Sequence, residues 1–101
     1  MSTLAKVAKK SEIGPGTGIK VEINGKEIAL FNCDGHFYAI DDTCSHRGGP
    51  LSEGSLEDQT VSCPWHGWRY DVTSGACLTN PSASQNKYQV TVEGDDIFVS
   101  T

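Results

Sequence analysis

No run of apolar residues approaches the roughly 18 that a bilayer span requires, so the sequence offers no membrane helix. Residues 1–10 carry Lys6, Lys9 and Lys10 but no apolar stretch of the kind a secretory signal needs, and the expected location is the cytoplasm. Basic residues are scarce: 8 Lys and Arg stand against 13 Asp and Glu, for a net charge of −5. Nucleic-acid backbones are bound by clustered cations, and the three N-terminal lysines are too sparse for such an arm. An acidic balance instead favours partners with a basic docking face, mainly through the encounter rate. Also missing are a convincing helix of about ten residues or more and any evident Ser/His/Asp or paired-carboxylate arrangement. No catalytic residues are therefore assigned. Cysteine stops at 4, and without an export signal these favour metal ligation over a disulfide framework.

What is present is β structure. The 101 residues fit one domain, 1–101, whose core is modest; at this size roughly 60–70% of the unfolded chain's surface is buried, so a bound metal adds usefully to stability. Ile19, Val21 and Ile23 alternate with Lys20 and Glu22, a period of two. Asn24-Gly25 is a two-residue hairpin signal, after which Ile28 to Phe31 return. Asp34-Gly35 turns the chain again into His36 to Ile40, completing a three-stranded meander. Tyr88 to Val92 and Ile97 to Val99 flank Glu93-Gly94-Asp95-Asp96 as a last hairpin, and Thr60 to Ser62 forms a short strand between loops. Residues 43–67 are rich in Gly, Ser, Pro, Cys and His, the composition of loops that hold a site on a scaffold. The expected fold is all-β: a small antiparallel sandwich or barrel with a loop-built tip.

Chemistry concentrates in Cys44-Ser45-His46, then 16 intervening residues, then Cys63-Pro64-Trp65-His66. Each loop offers one thiolate and one imidazole. Zinc accepts a Cys₂His₂ set, though its fingers usually pair like with like within a knuckle. Mixed Cys/His loops also match the asymmetric cluster in which two His replace two Cys on one iron.

Cys44-Ser45-His46-Arg47-Gly48-Gly49-Pro50-Leu51 and Cys63-Pro64-Trp65-His66-Gly67-Trp68-Arg69-Tyr70-Asp71 resemble the two cluster loops of Rieske proteins. Gly35 to Asp42 is similar to the strand that leads into the first loop. Thr73-Ser74-Gly75, Pro81 and the terminal hairpin extend the resemblance over nearly the whole chain. It implies one [2Fe–2S] cluster held by Cys44, His46, Cys63 and His66. The cluster-binding loops would run about 43–51 and 62–71, with a covering proline loop about 79–86. Within the family the chain looks like the small soluble ferredoxins of bacterial aromatic-ring-hydroxylating oxygenase systems. That likeness implies a monomeric one-electron carrier between a flavoprotein (FAD) NAD(P)H-dependent reductase and a terminal oxygenase. The alternative within the family is a small Rieske subunit of a larger oxidoreductase, similar to that of nitrite reductase; outside it, a zinc-binding interaction module. Once four ligands are assigned only His36 remains, so the chain has no second site for a mononuclear iron with a 2-His-1-carboxylate triad.

Departures from the family pattern carry their own expectations. High-potential Rieske proteins link their loops by a disulfide, whose positions here are Gly49 and Trp65. Their cluster-bonded Ser is Trp68 here, whereas Tyr70 aligns with a family Tyr that donates to a ligand thiolate. Fewer hydrogen bonds to the cluster imply a potential towards the lower end of the roughly −150 to +300 mV Rieske range. Of the residues left over, Cys33 is expected to be a small buried strand thiol and Cys77 a loop or core thiol. His36 is expected on a solvated strand, Trp65 outside and Trp68 at least partly buried. Gly48, Gly49 and Gly67 suit turns with close backbone approach to a ligand, and Leu51 suits a shield against water. The pathway substrate, and whether the acceptor is a dioxygenase or a monooxygenase, are not written in these residues.

Overall fold

The computed structural model describes residues 4–44, 49–65, 67–80 and 82–100. Among them are nine strands: β1 (Leu4–Lys9), β2 (Thr17–Ile23), β3 (Lys26–Cys33), β4 (His36–Asp41), β5 (Ser55–Glu57), β6 (Thr60–Ser62), β7 (Arg69–Asp71), β8 (Lys87–Glu93) and β9 (Asp96–Ser100). Single 3-10 turns occupy Lys10–Glu12 and Leu51–Glu53. Every strand pairing is antiparallel. Six strands form one sheet in the order β1-β9-β8-β4-β3-β2, and its two edges, β1 and β2, come into contact to give a nearly closed barrel. The other three form a small sheet, β5-β6-β7. The all-β sandwich or barrel expected from the sequence is thus the architecture observed.

The meander forms because its turns are built for it. Asn24 and Gly25 have φ of 51° and 80°, and Asp34 and Gly35 have 54° and 91°. Two successive left-handed residues suit the twist of a two-residue hairpin, and Asn, Asp and Gly tolerate that region best. The β2–β3 ladder runs unbroken from Thr17↔Asn32 to Ile23↔Lys26. The β8–β9 hairpin pairs Val90 with Val99 and Val92 with Ile97 around the turn at Gly94.

Strand β3 explains how one small chain supports two cores. Its alternate residues Ile28 and Leu30 face the barrel interior with Ala39, Ile97 and Val99. Ala29, Phe31 and Cys33 face the other way, onto Val61, Tyr70 and Val72 of the small-sheet region. Both faces of β3 are therefore dry, and Ile28 to Phe31 are fully buried.

Three strands escaped the sequence reading. β1 lies in residues 1–10, whose weak alternation is interrupted by a register shift between Lys6 and Ala8 where it pairs with β9. β5 and β7 are three residues long, too short for a period to be visible. No helix among the described residues is long and apolar enough to cross a membrane.

The topology sets the polarity of the molecule. The first Cys/His loop follows β4 and the second follows β6, so both leave from one end. The β3–β4, β5–β6 and β8–β9 turns lie at the opposite end.

Candidate metal centre

The first loop is closed at its neck. Thr43 and Pro50 form an isolated bridge, and the Cys44 N–H donates to the Gly49 carbonyl at 2.9 Å. Below the neck, Asp42 is only 1% exposed. Its carboxylate accepts the Ser52 N–H at 2.8 Å and its carbonyl accepts the Leu51 N–H at 2.7 Å. A buried carboxylate demands donors, and here they pin the return segment, with Leu51 fully buried behind the loop.

The second loop repeats the design. The Cys63 N–H donates to the Trp68 carbonyl at 2.7 Å, and the Gly67 N–H returns to the Cys63 carbonyl at 3.0 Å. In both loops the cysteine N–H reaches the carbonyl five residues on, so each thiol stands at the root of a closed loop. Gly67 takes a left-handed φ of 74° to make the reversal.

The loops also touch each other. A Cβ placed on Gly49 would lie 2.9 Å from Cys63 Sγ and 3.0 Å from Trp65 Cγ, so only glycine fits this face. Cys44 and Cys63 are each 2% exposed and belong to the same apolar core as Phe31, Leu51 and Val61. Within that core the Tyr70 hydroxyl lies 3.1 Å from Cys44 Sγ.

A third segment braces the pair. Tyr70 bridges to Cys77, and Leu78 N–H donates to the Arg69 carbonyl at 2.7 Å. Cys77 Sγ accepts the Asn80 N–H at 3.3 Å, and Thr79 Oγ1 accepts the Arg69 N–H at 3.0 Å. Gln85, buried in this segment, reaches across with its amide. Its Nε2 donates to the Asp41 carbonyl at 3.0 Å and to the Thr43 carbonyl at 2.6 Å, three residues and one residue before Cys44. The Asp41 side chain in turn accepts the Tyr88 hydroxyl at 2.5 Å and the Asn86 N–H at 3.2 Å. Burial, with this hydrogen bond and the Asp41 charge, pushes Tyr88 up to about 12. Nothing in the sequence marked Gln85, Asp42 or Tyr88, because a glutamine among small polar loop residues carries no spacing.

Two buried thiols on two closed, mutually packed loops, one with a phenol against its sulfur, fit a metal–sulfur group held at this end. His46 and His66, the other two candidate ligands, lie outside the described residues, as do Arg47, Gly48 and Pro81. Comparison with known proteins decides between metals. A family profile for the Rieske [2Fe-2S] domain matches residues 3–99.

The chain belongs to the Rieske [2Fe–2S] family.

Two relatives sharpen the placement within the family. The ferredoxin component of the naphthalene 1,2-dioxygenase system of Pseudomonas aeruginosa is 37% identical over 89 residues, covering 87% of this chain and 86% of that one. The 3-phenylpropionate/cinnamic acid dioxygenase ferredoxin subunit of Escherichia coli K12 is 41% identical over 91 residues, covering 88% and 85%. Among solved structures, the ferredoxin of carbazole 1,9a-dioxygenase from Nocardioides aromaticivorans IC177 superposes with a TM-score of 0.90 at 29% identity, covering 96% of each chain. A complex of reduced oxygenase and oxidized ferredoxin in carbazole 1,9a-dioxygenase gives 0.89 at 31% identity, covering 96% of this chain and 92% of that one. A Mycobacterium tuberculosis protein assigned as the small subunit of an NADH-dependent nitrite reductase reaches 0.93, covering 100% and 96%, but at 24% identity it shares the fold alone.

The remaining residues of this Rieske chain fall where the sequence put them. Cys33 ends β3 as a buried thiol; burial, and then the Asp71 charge, push it above the usual thiol range, which keeps it protonated and unreactive. Cys77 is buried at 5% exposure, and Cys33 and Cys77 form no disulfide. His36 is exposed on β4. Trp65 stands 59% exposed, while Trp68 is partly buried against the core that holds both thiols. The two positions of the missing loop disulfide, Gly49 and Trp65, do face each other across the loops.

Proposed function

We propose that this Rieske protein is the ferredoxin component of an aromatic-ring-hydroxylating oxygenase system, carrying single electrons from a flavoprotein (FAD) NAD(P)H-dependent reductase to a terminal oxygenase. The observation that carries the reading is similarity over 87% and 88% of the chain, at 37% and 41% identity, to two ferredoxins of dioxygenase systems. Cys44, His46, Cys63 and His66 hold the cluster in this reading, and the two thiols among them are buried. When bound, the cluster takes up and gives back one electron at a time.

The chain's own residues supply the setting. With Cys44 as a thiolate ligand, the Tyr70 hydroxyl 3.1 Å from its sulfur is the donor, and a hydrogen bond to ligand sulfur eases the arrival of negative charge. Leu51, fully buried, keeps water from the inner side of the loops. Trp65 exposes a flat apolar ring beside His66, suited to a transient contact. A monomer in the cytoplasm suits such a shuttle.

The test begins with the absorption and reduced-state EPR spectra of the anaerobically purified protein. A red-brown protein with the low average g of mixed Cys/His ligation is expected, with a potential towards the lower end of the roughly −150 to +300 mV Rieske range. Mixed after chemical reduction with the terminal oxygenases of the naphthalene and 3-phenylpropionate systems, it should reduce at least one of them. A colourless protein holding zinc would overturn the reading. So would delivery to neither oxygenase, or purification as a stoichiometric complex with a nitrite reductase.

A further inference from the structure

Reduction adds one negative charge at the ligand end, so the charges nearest that end bear on how readily the electron arrives. Most carboxylates there lie at the surface. Glu53 is exposed, Glu22 and Glu27 stand exposed beside the β2–β3 turn, and Asp41 is half-buried with Tyr88 bonded to it. Asp42 differs from all of them, being 1% exposed. Water and salt screen the surface carboxylates strongly and a buried one far less.

Asp42 stands at the stem of the first loop, two residues before Cys44. Its N–H donates to the Glu27 carbonyl at 3.1 Å, and its carbonyl accepts the Leu51 N–H at 2.7 Å. With the Thr43–Pro50 bridge and the bond from the Cys44 N–H to Gly49, these fix it in the neck that roots the first thiol. The Cα atoms of Asp42 and Cys44 lie within about 7 Å, the reach of two extended residues. Among the described residues, the Ser52 N–H at 2.8 Å is the one hydrogen-bond donor to the carboxylate, and neither ion pair includes it. A neutral asparagine would accept that N–H equally well through its own Oδ1. The bond therefore accounts for the shape of the residue and leaves its charge unexplained, although a buried charge with so few partners is costly.

We propose that Asp42 is a potential-setting residue: its buried carboxylate opposes the arrival of the electron and holds the protein towards the lower end of the Rieske range. The assignment rests on the electron-carrier reading above, in which Cys44 is a ligand. Tyr70 and Asp42 then act on the same loop with opposite sign. The phenol's hydrogen bond favours the reduced state, and the carboxylate disfavours it. A lower potential serves a carrier, because the reduced protein gives up its one electron more readily and the oxygenase gains it. Unit charges about 10 Å apart at an effective dielectric near 20 shift an equilibrium by roughly tenfold.

The experiment is a potentiometric titration of the cluster-loaded protein as wild type, Asp42→Asn, Asp42→Glu and Glu53→Gln. Asp42→Asn keeps the acceptor for the Ser52 N–H and removes the charge, whereas Asp42→Glu keeps the charge and disturbs the fit. Glu53→Gln removes the same formal charge from an exposed side chain next to Ser52. Asp42→Asn should favour reduction by about tenfold, roughly 59 mV upward for a one-electron couple, with absorption and EPR spectra unchanged. Asp42→Glu should stay nearer to wild type than to Asp42→Asn, even where its melting temperature falls. Glu53→Gln should move the equilibrium by less than about twofold. The titration reads only molecules that hold a cluster. Should Asp42→Asn load poorly, Asp42→Ser, neutral and able to accept the same N–H, repeats the measurement. An unchanged or lowered potential in the neutral variants overturns the proposal. So does an equal shift in Glu53→Gln, or a shift in Asp42→Glu as large as that in Asp42→Asn. A colourless wild-type protein holding zinc sinks the electron-carrier reading itself, a result distinct from a red-brown protein in which Asp42 is silent.

Discussion

The hydroxyl of Tyr70 lies 3.1 Å from Cys44 Sγ, and both residues are buried in the core between the barrel and the small sheet. With Cys44 serving as a thiolate ligand, the phenol is the donor. Its hydrogen bond strengthens as negative charge builds on the sulfur, so it favours the reduced state. Tyr70→Phe removes the donor and keeps the ring that fills the core. A difference of about 1 kcal/mol between the two redox states, the usual worth of one hydrogen bond, is roughly 40 mV for a one-electron couple. The variant should therefore be harder to reduce by about that amount, read by potentiometric titration. An unchanged potential would show that the phenol's bond does not distinguish the two states.

Gly49 permits the two loops to meet. An added methyl would sit 2.9 Å from Cys63 Sγ and 3.0 to 3.1 Å from the Trp65 ring, and the buried sulfur has little room to retreat. Overpacking of this kind costs about 1–3 kcal/mol. Gly49→Ala should lower the melting temperature and yield protein with less iron and sulfide per chain. Full cluster content with wild-type stability would mean that Trp65, which is 59% exposed, simply swings away.

The parts of this protein that were legible in its sequence are those with a period or a fixed spacing. The meander showed in the alternation of Ile19, Val21 and Ile23 and in its two Asx-Gly turns, and the ligand loops showed in paired Cys and His. β1 hid because Ala5 and Ala8 are weak apolar markers and its register slips after Lys6. β7 hid because three residues set no rhythm, although Tyr70 on it touches Cys44. The braces were invisible for a different reason. Gln85 lies 42 residues from Thr43 in sequence, and only the folded chain brings its amide to that carbonyl.

The Gln85 brace can be tested directly. Its Nε2 serves the carbonyls of Asp41 and Thr43 together, so truncation leaves two acceptors at the stem of the first loop without this donor. Loss of a partner from a buried polar group costs about 1–3 kcal/mol. At this chain length each kcal/mol moves the melting temperature by roughly 4–8 °C. Gln85→Ala should melt lower by about that scale and release iron to a chelator faster, because Cys44 follows Thr43 immediately. Gln85→Glu should do no better, since an ionised carboxylate has no proton to donate to either carbonyl. Wild-type chelation rates in both variants would confine the amide to a local role in its own loop.

Tyr88 ties β8 to the same stem and gives stability a defined dependence on pH. Burial comes first, then its hydrogen bond to Asp41 and the Asp41 charge, and together they raise the phenol from 10.0 to about 12. A phenol is neutral when protonated, so a raised value means that the folded state holds the proton more tightly than the unfolded state. Below pH 10 both states are protonated and the bond's contribution is fully present. From about pH 10 to about 12 the unfolded chain loses its proton first, and stability falls as the pH rises. Cys33, whose thiol is also raised, acts in the same direction from 9.0 upward, so the comparison must be made between variants. Tyr88→Phe should be less stable than wild type by about 1 kcal/mol at neutral pH, the worth of one hydrogen bond. The two denaturation midpoints should then converge as the pH approaches about 12. Parallel midpoints across that window would mean that the Tyr88 proton is not held by Asp41.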